Sequence, residues 1–85
     1  MEVSFVQYDQ KTVGKVLRTL RKKRKWTQEV ASGFAGVARS HYTSIECGRK
    51  NAEVDTLSKI AAAYDLRLSE LFRLVEEELD KNEHA

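Results

Sequence analysis

The sequence predicts an all-α domain, a compact bundle of five short helices. Three observations carry that prediction. The 85 residues contain no proline and only four glycines, so helix breakers are scarce. Apolar residues recur at helical spacing in several separate stretches. A chain of this length supports one domain with one modest core, and its 41% apolar and 33% charged residues are those of a globular protein.

Residues 1–8 show no helical stripe and read as an N-terminal arm, with Phe5 and Tyr8 set either back on the core or on a partner subunit. The domain proper spans 9–80. Asp9 suits a helix cap, because its carboxylate accepts from the free N–H groups of a first turn. Val13, Val16, Leu17 and Leu20 follow at i, i+3, i+4 and i+7 and form the apolar stripe of a first helix ending near 23–25. Gly14 inside it costs about 1 kcal/mol against alanine.

Thr27 is a good cap for a second helix over 28–35, which Gly36 ends. Trp26, the single tryptophan, reads as a core plug between these two helices. Val30 and Phe34 pair at i, i+4, with Ala31 and Ala35 beside them. A third helix over about 38–47 has Tyr42 and Ile45 as inward anchors and Gly48 as its stop. Its remaining arc holds Arg39, Ser40, His41, Thr43 and Ser44, with none of the Glu and Lys of a merely solvated face. Leu57, Ile60, Ala61 and Tyr64 mark a fourth helix over 54–64. Ser69 is the expected cap of the fifth, whose stripe is Leu68, Leu71, Phe72, Val75 and Leu79. Residues 81–85 read as a flexible tail.

The net charge of +2 conceals a division. Residues 1–50 carry eleven Lys and Arg against four Asp and Glu, a balance of +7; residues 51–85 carry four against nine, a balance of −5. Six cations fall within the eight residues 18–25. A solvated helix end complementing the macrodipole is the plain explanation. Beside two short helices joined at a glycine turn, a face for a polyanion fits better.

Several function classes are disfavoured. One cysteine, Cys47, excludes an internal disulfide framework and a cysteine-cluster zinc site. With only His41 and His84 besides, no catalytic constellation or metal site is expected, and no cofactor. Glu76, Glu77 and Glu78 read as a solvated helix face. No apolar run is long enough to span a membrane, and no signal-peptide pattern opens the chain, so a cytoplasmic setting is expected.

Residues 17–72 resemble the Cro/repressor-type helix-turn-helix family, also called the xenobiotic-response-element type. The resemblance lies in Leu17-x-x-Leu20-Arg21, Thr27-Gln28-Glu29, Gly36-Val37-x-Arg39-Ser40, Ile45-Glu46-x-Gly48-Arg49, Leu57-x-x-Ile60-Ala61 and Leu68-Ser69-Glu70-Leu71-Phe72. It implies a lambda-repressor-like fold in which the third helix reads DNA. It maps base reading to Arg39, Ser40 and Ser44. Phosphate contact maps to Thr27, Gln28, Arg49 and Lys50, with His41 and Thr43 at the margins. It also implies an ion pair between Arg21 and Glu46. The sequence departs from the family in the second helix. Ala31, Ser32 and Ala35 stand where a leucine–alanine pair and a further leucine are usual, and the bulky Val30 and Phe34 come one place earlier. Either that helix is rotated with an extra residue in its turn, or the core is repacked around Trp26 and Phe34.

The expectation is a sequence-specific DNA-binding transcriptional regulator acting on double-stranded DNA as a homodimer. Lys22 and Lys23 join the phosphate contacts through their charge, and Arg39 suits a guanine, to which guanidinium donates twice. Leu68, Phe72, Val75 and Leu79 are the expected dimer surface, with packing of Val75 and Leu79 back on the first helix or on the arm as the alternative. Rival functions on the same fold are a restriction–modification-type controller and an antitoxin with a toxin partner. A protein-interaction module without DNA affinity is the rival from another class.

Overall fold

A computed structural model describes residues 7–84, with side chains described as far as Lys81. The elements are α1 (Gln10–Lys23), α2 (Gln28–Ala35), α3 (Arg39–Glu46), α4 (Val54–Ala63) and α5 (Leu68–His84). α1 packs on α3 and α5, α2 packs on α3 and α4, and α4 closes against α5.

Local chemistry explains each boundary. Asp9 caps α1, its carboxylate accepting from the Lys11 N–H at 3.1 Å and the Thr12 hydroxyl at 3.0 Å. Thr27 caps α2 by accepting from Val30 N–H at 3.1 Å. Gly36 ends α2 in the left-handed conformation (φ 69°), and Val37 N–H then reaches back to the Ser32 carbonyl at 3.0 Å. Two further helix stops use the same geometry without glycine: Lys25 and Asp65 both have φ 58°.

Two expectations near α5 are corrected. The helix starts at Leu68, so Ser69 lies inside its first turn and does not cap it; Glu70 Oε1 instead accepts from Arg67 N–H at 2.8 Å. The helix also runs on to His84, through most of the stretch read as a tail.

Val13, Leu17, Tyr42, Ile45, Leu57, Ile60, Leu71 and Val75 form the sealed centre of the core. Burying each aliphatic member is worth about 1.5–3 kcal/mol. The Tyr42 and Tyr64 hydroxyls meet within this core at 2.6 Å. Burial pushes both phenols above their ordinary range, so each stays protonated and partners the other.

The second helix is not rotated. Ala31, Ser32 and Ala35 are its buried residues, whereas Val30 is 40% and Phe34 66% exposed. The small inward side chains let α2 lie close on α3 and α4. Phe34 stacks on Trp26 (centroids 4.8 Å apart) and Trp26 on Tyr64 (5.4 Å), extending the core outward as an aromatic ladder. Trp26 is therefore a half-buried flank of the core, and the Arg24 guanidinium lies over its ring at 5.1 Å.

Candidate nucleic-acid interface

α2 and α3 meet across a cleft of about 500 Å³ lined by Arg18, Arg21, Thr27, Gln28, Arg39, Glu46 and Cys47. At its floor, Arg21 grips Glu46. Nε donates to Oε1 and Oε2 at 3.1 and 3.0 Å, and Nη2 donates to Oε1 at 2.7 Å. Nη1 donates to the Trp26 carbonyl at 3.0 Å, so one guanidinium ties the end of α3 to the turn before α2. Burial would raise the Glu46 carboxyl, but hydrogen bonds from Arg21 and Gln28 outweigh it and hold the group below the usual carboxylate range. The same bond to Glu46, opposed by burial, raises Arg21 above its ordinary value.

The network extends to the head of α2. Gln28 Nε2 donates to Glu46 Oε1 at 3.3 Å, and the Thr43 hydroxyl donates to Gln28 Oε1 at 3.1 Å. Gln28 and Thr43 thus hold each other, so the relative setting of α2 and α3 is fixed by side chains at the mouth of the cleft. One amide hydrogen of Gln28 remains beyond these two bonds.

Arg39 and Ser40 stand exposed at the head of α3, where Ala38 supplies no side-chain cap and leaves the first N–H groups open. His41, Thr43 and Ser44 are half-buried along the same helix. Arg49 and Lys50 are exposed in the loop after it, which is pinned by their N–H groups donating to the Ser44 carbonyl at 2.9 and 3.3 Å. Among the described residues, Lys22, Arg39, Arg49 and Lys50 enter no ion pair.

Lys23 is elsewhere. It lines a groove between α1 and α5 with Leu74, Glu77, Glu78 and Lys81. At about 100° per residue it points roughly 140° away from Arg18, which does line the cleft. The run of cations hid this difference, which helical phase alone could have revealed: Arg18 lies three residues before Arg21, on the same face. Arg24 is also committed to structure, donating to the Tyr64 carbonyl at 3.0 Å and pairing with Asp65 at 3.2 Å.

The expected dimer set divides. Val75 and Leu79 are 1% and 7% exposed and belong to the chain's own core, a correction to their reading as open dimer surface, although Leu79 still floors a groove beside Tyr8 and Phe72. Leu68 and Phe72 are half-buried at the edge of the core, with Tyr8 edge-on to Phe72 at 6.2 Å. Tyr8 thus rests against Phe72 while staying 48% exposed, whereas Phe5 lies outside the described residues. Also among the described residues, no three His, Cys, Asp or Glu gather as a metal site, and no helix is long and apolar enough to cross a membrane.

A family model described as helix-turn-helix (HTH_3) matches residues 17–71, which run from the middle of α1 into α5 and include every cleft residue. The chain belongs to the helix-turn-helix family. Among relatives of this helix-turn-helix protein, the immunity repressor protein of Bacillus phage phi105 is 36% identical over 74 residues, 87% of this chain. The chain spans half of that repressor's length. The control protein C.MunI of a Mycoplasma species is 39% identical over 66 residues, covering 76% of this chain and 89% of the relative. Among solved structures, the restriction–modification controller protein C.AhdI from Aeromonas hydrophila superposes with a TM-score of 0.69 at 32% identity. That match covers 73% of this chain and 94% of the controller.

Proposed function

We propose that this helix-turn-helix protein is a sequence-specific DNA-binding transcriptional regulator that acts as a homodimer on a two-fold symmetric operator. The observation that carries the reading is Arg39, exposed and without an ion pair among the described residues, at the open head of α3 on a cationic cleft whose floor is tied by the Arg21–Glu46–Gln28–Thr43 network. In this reading α3 enters the major groove. Arg39, Ser40 and Ser44 read base edges, and Arg39 donates twice to a guanine. Thr27, Gln28, Lys22, Arg49 and Lys50 meet phosphates, with His41 at the margin, and supply the salt-dependent affinity. Thr43 acts through Gln28. A single module reads one half-site, so a second copy completes the operator. Leu68, Phe72 and Tyr8, at the rim left open by Val75 and Leu79, are its proposed contact. The role is regulatory, not enzymatic, and cytoplasmic.

A restriction–modification controller is the second reading on the same fold: the control protein C.MunI is 39% identical to this chain, and the controller C.AhdI superposes on it at 32% identity.

Selection of bound duplexes from a random-sequence library tests the core reading. A two-fold symmetric consensus is expected. Absence of enrichment, or sedimentation as a monomer on the selected duplex, would contradict it.

A further inference from the structure

We propose that Arg18, on the cleft side of α1, is a further phosphate contact of the bound duplex; the assignment rests on the DNA reading above. Arg18 lines the same cleft as Thr27, Gln28 and Arg39. It is exposed and enters no ion pair among the described residues. Four other cations of α1 and its end are engaged or turned away. Lys15 pairs with Glu78 at 3.0 Å, Arg21 with Glu46 at 2.7 Å and Arg24 with Asp65 at 3.2 Å, and Lys23 faces α5.

The charge of the cleft points the same way. Its lining holds three guanidinium groups against one carboxylate, and Arg21 neutralises that carboxylate. Arg18 and Arg39 are left as uncompensated positive charge facing each other's space. Complementing the macrodipole does not account for Arg18, because α1 continues to Lys23 and the dipole's influence is confined to the last turn. A guanidinium suits phosphate, to which it presents two parallel donors. With Arg18 on α1 and Thr27 and Gln28 at the start of α2, backbone contacts fall on one side of the cleft and Arg39 on the other.

Binding to a mixed-sequence duplex, followed across about 50–200 mM salt, tests the assignment. Each phosphate contact contributes about 0.9 to the slope of log affinity against log salt, so Arg18→Ala should be shallower by about that amount per protomer. Its affinity deficit should correspondingly shrink by about 3.5-fold per protomer across that range. Arg18→Lys should keep the wild-type slope. Lys23→Ala removes the same charge from the opposite side of α1 and should also leave the slope unchanged; Arg18→Gln substitutes if the alanine variant fails to fold. An unchanged slope in Arg18→Ala while wild type binds overturns the Arg18 assignment alone. Equal flattening in Lys23→Ala overturns it too, by reducing the effect to net charge. Failure of wild type to bind at the lowest salt overturns the DNA reading itself.

Discussion

Gly14 of α1 lies directly beneath the main-chain carbonyl of Glu46 at the end of α3, so close that a Cβ at position 14 would overlap that oxygen. This contact sets how deeply α1 seats against α3, and with it the reach of Arg21 to Glu46. In an open helix, alanine in place of glycine stabilises by about 0.5–1 kcal/mol. At position 14 the sign reverses, and Gly14→Ala should cost about 1–3 kcal/mol through overpacking. Gly33 provides the control. Nothing lies within 4 Å of a Cβ there, so Gly33→Ala should gain about 0.5–1 kcal/mol. Urea unfolding of the two variants should move the midpoint in opposite directions; equal shifts would contradict the packing.

Stability should also depend on pH through Glu46. Its carboxyl is depressed in the folded state, so its contribution is fully present above the unfolded value, about 4.3. It is lost as pH falls through the lower folded value. Glu46→Gln should remove that dependence and, by stranding Arg21 at a largely buried site, cost about 3–5 kcal/mol at neutral pH. Thermal unfolding of both proteins between neutral and acid pH checks this. Parallel curves would rule out Glu46 as the source.

Helix stops and caps were legible at Asp9, Thr27, Gly36 and Gly48, but not at the start of α5, where Glu70 and not Ser69 accepts the free N–H. The Tyr42 and Ile45 anchors of α3 followed from periodicity. The facing of α2 did not, because size points the wrong way: bulky Val30 and Phe34 lie outward, while Ala31, Ser32 and Ala35 fit the narrow gap to α3 and α4. Lys25 and Asp65 turn the chain without a glycine to signal it. Gly14 read as a local weakness because its reason lies thirty-two positions away, at Glu46. In the site, the cationic run was visible, but its division between the cleft (Arg18), the core flank (Arg24) and the α5 groove (Lys23) needed the helix phase and its neighbours.

Phe34 should behave as a surface residue despite its size. Phe34→Ala loses one exposed stacking contact and should cost about 0.5–1.5 kcal/mol. Ile45→Ala opens the sealed core and should cost about 2–5 kcal/mol. Trp26 fluorescence should shift in the first variant, since Phe34 covers one face of its ring. A larger loss for Phe34→Ala than for Ile45→Ala would contradict the outward setting of that side chain.

Cys47 offers a direct report on the cleft. It is the single cysteine, it is exposed, and it lines the cleft at the end of α3. A mixed-sequence duplex should slow its alkylation by iodoacetamide at low salt, and high salt should restore the free rate. Equal rates with and without bound duplex would place the DNA elsewhere.

In the proposed complex α3 reads bases through Arg39, and library selection with wild type and Arg39→Ala side by side tests that assignment. The wild type should enrich a symmetric site with an invariant guanine in each half. Arg39→Ala should relax that position alone, losing about 1–3 kcal/mol of discrimination there, while keeping its salt slope. An unchanged consensus in Arg39→Ala would contradict that assignment.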